Sequence, residues 1–381
     1  MRTLFPLIWH QRFFHDRVVQ TRLEGLEHVR RAARVGYGIL ITPNHPGHAD
    51  SYLLVEAIRK LRMRCYIMMA WQVFEMASPF ARWVYRQYGC FSVYREGHDL
   101  QAYRQAVQIL KEGSAPLVIF PEGDVYHLND RVTPFREGTA SIALSAVKRS
   151  ERPVACIPCA LRYQYLVDPT PELHDVMDRL EERLSWRPRR DLPLASRIYR
   201  LAEGIVNLKE LEYLGSTFEG TLPQRIHHLA DLVLGQMERY YGIDPRDSTI
   251  PERVKEVRRQ AIDRRGSLAA DSPEVPVVAR HLDDLFFVIQ LFSYPGDYVA
   301  ERPTIERMAE TIDKFEEDLL GLPTARIRGR RRGICTFGEP IIVTQGGGRD
   351  AARTLTEQLE TRVQHLLDLG AGLVTSARVP A

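Results

Sequence analysis

Short apolar runs alternate with longer amphipathic stretches between residues 38 and 165. The apolar runs have the length of β-strands, and the stretches between them have helical periodicity. Strands that alternate with helices are typical of an α/β layer with a mostly parallel sheet, in which functional residues collect beyond the strand ends. The predicted strands are 38–42, 65–69, 91–94, 116–120 and 154–161, and the predicted helices are 49–61, 75–88, 99–112 and 137–149.

The pattern is helical alone over residues 166–325, where capping residues and proline-containing breaks separate successive segments. One segment, 281–292, has a wide apolar face that could line an acyl-chain tunnel, lie on a bilayer or pack against the α/β core. A strand pattern returns at 333–343, and an amphipathic helix follows at 350–369. We predict an α/β core in residues 1–165, a large all-helical insertion in 166–325, and a C-terminal strand and helix in 326–381 that complete the core.

The composition is that of an ordinary globular protein, with 44% hydrophobic and 27% charged residues in 381. The net charge of +3 is too small to indicate a nucleic-acid-binding protein. The apolar runs are shorter than the roughly 20 residues of a membrane span. Five cysteines are few for this length, which favours a reduced, intracellular protein. Because the net charge is small, we expect no nucleic-acid partner.

The stretch NHPGHAD, residues 44–50, concentrates titratable side chains where a strand leads into a helix. Across such a turn, Asp50 can bind one imidazole nitrogen of His45 and leave the other facing the cleft. The carboxylate would then fix the tautomer of a general base. No G-x-S-x-G nucleophile motif is present in the sequence. A base without a protein nucleophile suits a reaction in which a substrate hydroxyl attacks an activated donor such as a thioester.

Two other interpretations of this stretch remain open at the level of the residues. His45, His48 and Asp50 could bind a metal together with side chains from a second strand end, although the H-x-x-H-x-D spacing is not typical of a metal site. The residues of that second strand end are Asp124, His127 and Asp130. Alternatively, the polar side chains could simply cap the following helix.

Three further stretches follow in the chain: GCFSVYR at 89–95, IFPEGD at 119–124 and VACIP at 154–158. With NHPGHAD, their order and spacing resemble the four motifs of the glycerolipid acyltransferase family, which includes glycerol-3-phosphate and lysophosphatidate acyltransferases. LEGLEHV at 23–29 and FGEPI at 337–341 are similar to the family's flanking strands. The similarity covers residues 20–165 and 330–369, and leaves the helical insertion outside it.

The resemblance implies an O-acyltransferase of the 1-acylglycerol-3-phosphate type, active in phospholipid biosynthesis. It would move a fatty acyl group from acyl-CoA or acyl-carrier protein to a hydroxyl of a glycerol-phosphate or lyso-phospholipid acceptor. It implies no metal and no bound cofactor, and a location in the cytoplasm, peripheral to the cytoplasmic membrane. The implied site residues are His45 as base, Asp50 as its orienting partner, Arg95 for the acceptor phosphate, Glu122 and Gly123 around the acceptor, and Pro158 for the donor or acyl chain.

Two positions depart from the family's pattern. Gly47 replaces the serine that often follows the motif histidine by two residues, and Asp124 replaces the usual Thr or Ser after Glu-Gly. A carboxylate near a phosphate is unfavourable unless a cation pairs with it. A hydroxyl acceptor without phosphate therefore remains open. So does a non-catalytic lipid-binding protein on the same scaffold, although such a protein would have no need of a base.

Overall fold

The computed structural model describes residues 16–94, 99–150, 152–244, 248–322, 324–345, 347–348 and 350–375, with side chains described as far as residue 370. The chain divides into two compact units. Residues 1–169 and 326–381 form the α/β unit, and residues 170–325 form the helical unit. The predicted fold class is confirmed: a mostly parallel sheet flanked by helices, interrupted by a long all-helical region.

A sheet of eight strands, counted over the described residues, forms the centre of the α/β unit in the order β1-β7-β6-β2-β5-β3-β4, with β8 also on β6. The strands from β6 through β2, β5 and β3 to β4 are all parallel. β7 and β8 run antiparallel to β6. The strands are β1 (Val18–Glu24), β2 (Gly38–Pro43), β3 (Tyr66–Ala70), β4 (Cys90–Val93), β5 (Leu117–Val118), β6 (Val154–Tyr165), β7 (Arg331–Phe337) and β8 (Ile341–Val343).

Helices cover both faces of this sheet, which explains why the central strands are continuous apolar runs. β2 is buried along its whole length. One core contains Ile39 and Ile41 with residues of α1 and α2, and the other contains Leu40 with residues of α5, α6 and α14. The helices of this unit are α1 (Leu26–Val35), α2 (Asp50–Leu61), α3 (Trp71–Met76), α4 (Pro79–Gln87), α5 (Leu100–Glu112), α6 (Gly138–Lys148) and α14 (Ala351–Thr375).

The single helix predicted at 75–88 is wrong, because the structure has two helices there. α3 ends at Met76 and α4 begins at Pro79. Proline lacks a backbone N–H and is tolerated in the first turn of a helix but not in its interior. The Ser78 hydroxyl caps the second helix by accepting from the Ala81 backbone N–H at 3.2 Å.

The strand predicted at 333–343 is also interrupted. β7 ends at Phe337 and β8 begins at Ile341, so three residues lie opposite only two residues of β6. This is a β-bulge, and Pro340 and Pro158 contribute to it because neither can donate to the ladder. The Gly338 N–H donates to the Pro158 carbonyl at 2.8 Å across the break. The N-terminal stretch LEGLEHV, expected to be a flanking strand, covers the end of β1 and the start of α1.

The helical unit has its own hydrophobic core. α11 begins at Val275, six residues before the predicted start, because Pro276 occupies the first turn. Its residues Leu285, Val288 and Leu291 are buried in a cluster with α9 and α10 of the same unit. The helices are α7 (Thr170–Arg183), α8 (Leu194–Leu214), α9 (Leu222–Tyr241), α10 (Ile250–Ser267), α11 (Val275–Phe292), α12 (Tyr298–Glu301) and α13 (Ile305–Leu320).

Candidate active site

The NHPGHAD loop connects the carboxyl end of β2 to the start of α2. Asn44 fixes the loop at its first residue, because its side chain takes the place of a strand residue. Its amide donates to the Leu161 carbonyl at 3.0 Å and its oxygen accepts from the Leu161 N–H at 2.7 Å. The Asn44 side chain thus extends the pairing of β6 beyond the last residue of β2 and holds the loop at this edge of the sheet.

His45 and Asp50 form a hydrogen-bonded pair. His45 Nδ1 lies 2.7 Å from Asp50 Oδ2, which also accepts from the Gly47 N–H at 3.0 Å. The imidazole stacks on the Phe120 ring, with centroids 4.1 Å apart and planes 25° from parallel. The Asp50 side chain is fully buried, whereas that of His45 is 22% exposed. Nδ1 therefore carries its proton toward the carboxylate, and Nε2 is the nitrogen available for proton transfer.

Tyr163 completes the environment of the Asp50 carboxylate. Its hydroxyl donates to Asp50 Oδ1 at 2.6 Å, so both carboxylate oxygens are hydrogen-bonded. Burial, and then the neighbouring charge of Asp50, raises the pKa of Tyr163 well above its ordinary value, which keeps the phenol protonated as a donor. The Arg331 guanidinium lies 4.6 Å from the centre of the Tyr163 ring and donates to the Asp16 carbonyl at 2.9 Å.

Glu122 holds the backbone of the histidine rather than its ring. Its Oε1 accepts from the His45 N–H at 2.7 Å, and its Oε2 accepts from both the backbone N–H and the hydroxyl of Thr133. Glu122 is only 3% exposed. Burial raises the pKa of Glu122 to about 7, and the hydrogen bonds from Thr133 and His45 oppose that rise. The carboxylate thereby couples the His45 loop to the segment that contains Thr133.

The C-terminal helix α14 fixes that segment in turn. Gln364 accepts from the Val132 N–H at 3.0 Å and donates to the Asp130 carbonyl at 3.1 Å. Glu360 accepts from the Phe135 N–H at 2.7 Å. A second asparagine, Asn129, pairs with the backbone of Tyr163 in the way that Asn44 pairs with Leu161. The surroundings of His45 are therefore formed by residues from both the N-terminal and the C-terminal segments of the α/β unit.

Gly123 follows Glu122 with φ of +78°, a conformation that favours glycine. A Cβ at this position would lie 2.6 Å from the guanidinium of Arg136, so the absence of a side chain lets this arginine lie against the backbone. The backbone N–H of Arg136 donates to the Pro121 carbonyl at 2.9 Å. Asp124 accepts from the Val125 N–H at 3.0 Å. The Arg136 guanidinium therefore lies against Gly123, and the Asp124 carboxylate belongs to the next residue.

The remaining predicted residues lie in different places. Arg95 lies outside the described residues. Pro158 is buried inside β6, opposite Thr42 of β2 and beside the bulge. His48 and His127 come together with ring centroids 5.6 Å apart in an edge-to-face arrangement. The structure therefore brings His45, Asp50 and Glu122 into direct contact and places Gly123 beside them.

The residues that support this pair were not predicted from the sequence; they are chiefly Tyr163, Thr133, Asn129 and Gln364. Hydrogen bonds join Tyr163 to Asp50 across 113 residues and Gln364 to Val132 across 232. No local pattern predicts contacts at such separations. Asn44 carried a weak signal, since a polar residue directly after an apolar strand needs hydrogen-bond partners there.

Comparison with known families agrees with this geometry. Residues 20–162 match the family model described as Acyltransferase. This part of the chain, which includes His45, Asp50 and Glu122, therefore belongs to the acyltransferase family, and membership implies acyl transfer to a lipid acceptor. No curated protein matches the chain. None of the helices in the described part of the chain is long and apolar enough to cross a membrane.

Replacing Tyr163 by phenylalanine is expected to lower the rate of acyl transfer by about 10-fold, because a hydrogen bond to a charged group contributes roughly 1.5–3 kcal/mol. Without the phenol, the carboxylate loses the hydrogen bond that holds its Oδ1, and with it part of the fixed orientation of the imidazole. Tyr103→Phe is the matched control, since that hydroxyl binds Ser145 on α6 at 2.6 Å and none of the site residues. Equal rates for wild type and Tyr163→Phe would show that the phenol has only a packing role.

Glu122 predicts a pH dependence of stability. Its ordinary pKa is 4.5 and burial raises it to about 7 in the folded protein. The folded state therefore holds this proton more tightly than the unfolded state. Its contribution to the free energy of unfolding is lost as pH rises from about 4.5 to about 7. Urea unfolding at pH 5 and pH 8 should show a larger loss for wild type than for Glu122→Gln. Parallel pH profiles for the two proteins would contradict the prediction.

Proposed function

We propose that the protein transfers a fatty acyl group from an acyl thioester, acyl-CoA or acyl-carrier protein, to a hydroxyl of a glycerol-phosphate or lyso-phospholipid acceptor. The observation that carries the proposal is the His45–Asp50 pair, in which the carboxylate is buried and the imidazole is partly exposed. The proposal includes a peripheral position of the protein at the membrane that contains the acceptor. It requires no metal and no bound cofactor.

The reaction follows from the proton positions of this pair. His45 Nε2 takes the proton of the acceptor hydroxyl, and the oxygen attacks the thioester carbonyl to form a C–O bond. Collapse of the tetrahedral adduct breaks the C–S bond, and the imidazolium returns the proton to the departing sulfur. The products are an ester and a free thiol. Asp50 stabilises the imidazolium in between, because its negative charge is fixed 2.7 Å from Nδ1.

Substrate binding is proposed for the other site residues that the family resemblance implies. Arg95 would bind the phosphate, because a guanidinium can make two parallel hydrogen bonds to it. Glu122 and Gly123 would form part of the acceptor site. The Arg136 guanidinium, which lies against Gly123, is a second cation that could bind the acceptor phosphate. Pro158 would contribute to the donor or acyl-chain side.

The test is the release of free thiol from palmitoyl-CoA with and without lysophosphatidate. Thiol release that depends on the acceptor, together with the diacyl product, is the expected result. Monoacylglycerol as acceptor tests whether the phosphate is needed, a question that Asp124 raises. Palmitoyl-acyl-carrier protein is the alternative donor. Release without acceptor would indicate a thioesterase, and lipid binding without turnover from either donor would indicate a binding protein.

A further inference from the structure

An apolar surface lies on the two short helices that follow β3. Met76, Phe80 and Trp83 are 80%, 57% and 49% exposed, respectively. We call these three residues the α3–α4 patch. The rings of Phe80 and Trp83 stack with centroids 6.0 Å apart. Neither α3 nor α4 contains a buried residue, although Phe74 and Tyr85 pack partly against the core beneath them.

Hydrogen bonds hold the two helices of the patch together. The Arg82 guanidinium donates to the Glu75 carbonyl at 2.7 Å and to the Ala77 carbonyl at 2.9 Å. These bonds join the end of α3 to α4, and therefore fix Met76 relative to Phe80. An exposed group of large apolar side chains that the fold holds in place is typical of an interaction surface.

The charges beside the patch are basic. Arg82 and Arg86 are four residues apart on α4, and Glu75 is the single acidic residue in the sequence 71–87. No carboxylate among the described residues pairs with either arginine. Arg86 is exposed and lies one turn from Trp83. Phenylalanine and tryptophan flanked by arginines suit the boundary between acyl chains and anionic headgroups.

The position of the patch relates it to the candidate active site. α3 begins directly at the carboxyl end of β3, and β3 is parallel to β5, which is parallel to β2. The carboxyl ends of these strands share one edge of the sheet, which is also where the His45 loop begins. Trp71 at the start of α3 lies 6.0 Å, between ring centroids, from Tyr94 after β4. The helix on which the patch begins, α3, therefore starts at the edge of the sheet at which the acceptor would react.

We propose that the α3–α4 patch is the surface by which this protein docks on an anionic phospholipid bilayer. Phe80, Trp83 and Met76 enter the level of the headgroups and upper acyl chains, and Arg86 contacts the lipid phosphates. This inference rests on the proposed function, because a lipid acceptor is what places the reacting edge at a bilayer. Docking there lets a lyso-lipid reach His45 from the bilayer surface.

The experiment is sedimentation of the full chain with vesicles of phosphatidylcholine and phosphatidylglycerol in equal amounts, and with pure phosphatidylcholine vesicles. Phe80→Ser/Trp83→Ser is expected to lower the partition coefficient about tenfold. Met76→Ser, at the most exposed position, is expected to lower it severalfold. Arg86→Gln should reduce the preference for anionic vesicles. Val35→Ser/Leu369→Ser is the matched control, since both residues are exposed apolar residues of the α/β unit outside the patch.

His45→Ala separates this inference from the proposed function, because it should bind vesicles like wild type whatever its activity. Thermal unfolding of each variant checks that the fold is intact. The docking proposal is overturned if wild type does not sediment with either vesicle, or if folded patch variants sediment as well as wild type. It is also overturned if wild type is a dimer that the patch substitutions dissociate, since the occupant would then be a second copy of the chain.

Discussion

Replacing His45 by alanine is expected to lower kcat for acyl transfer by about 10²–10⁴-fold, the usual contribution of a positioned general base. The imidazole is the partly exposed group of the pair, whereas Asp50 is fully buried. The measurement is acceptor-dependent thiol release under conditions that saturate both substrates. KM for the thioester should change little, since Nε2 acts on the acceptor hydroxyl.

Two variants make this result specific. His45→Gln keeps most of the side-chain volume over Phe120 but cannot take a proton, so it should be as inactive as His45→Ala. His365→Ala is the control, because this histidine is exposed on α14. Turnover close to wild type in His45→Ala would refute the base. Loss of folding in His45→Ala, with an active His45→Gln, would instead assign the imidazole a packing role.

Local patterns were sufficient to predict the layers of the fold. The alternation of apolar runs and helical periodicity from residue 38 to 165 predicted the parallel strands, since a sheet buried on both faces requires continuous apolar segments. The errors occurred at prolines. Pro79 divides the helix predicted at 75–88, and Pro340 interrupts the strand predicted at 333–343, because hydrophobic periodicity does not register a missing N–H.

The candidate site was predictable only where its residues are neighbours in sequence. His45 and Asp50 are five residues apart, and their hydrogen bond followed from a strand-to-helix turn. The Tyr163 hydroxyl reaches the same carboxylate from β6, and nothing in the residues around position 163 indicates this. Its place depends on the register of β6 with β2, which a single sequence does not determine. Residue 163 also lies just beyond the segment that matches the family.

Glu122 makes structural contacts that the resemblance did not indicate. The family pattern associates this glutamate with the acceptor site, whereas here all its hydrogen bonds are with the His45 loop and Thr133. A buried carboxylate that accepts three hydrogen bonds is well suited to position a backbone segment. Contact with an acceptor remains a prediction. α14 binds the residues on both sides of Thr133, and Thr133 binds Glu122, so the returning C-terminus supports the His45 loop as well as the sheet.

Replacing Asp50 by asparagine is expected to remove most of the contribution of the base, on the order of 10²-fold or more in kcat, while the fold stays intact. The asparagine oxygen can accept from His45 and Gly47 as the Asp50 carboxylate does. The Tyr163 hydroxyl can rotate to accept from the new amide. What disappears is the negative charge that stabilises the imidazolium. If Asp50 only held the loop through the Gly47 N–H, Asp50→Asn would be almost fully active.

A double-mutant cycle with Tyr163→Phe distinguishes these cases further. In wild type the Tyr163 hydroxyl donates to the Asp50 carboxylate. In the Asp50→Asn background it contacts a neutral amide, so its removal no longer affects a charged group. The rate loss caused by Tyr163→Phe should therefore shrink in that background, with a coupling energy of about 1 kcal/mol or more. Urea unfolding should give Asp50→Asn a free energy of unfolding equal to or above that of wild type, because burying a neutral amide costs less than burying a charge. Independent, additive effects of the two substitutions would mean that Tyr163 and Asp50 do not act through the same imidazole.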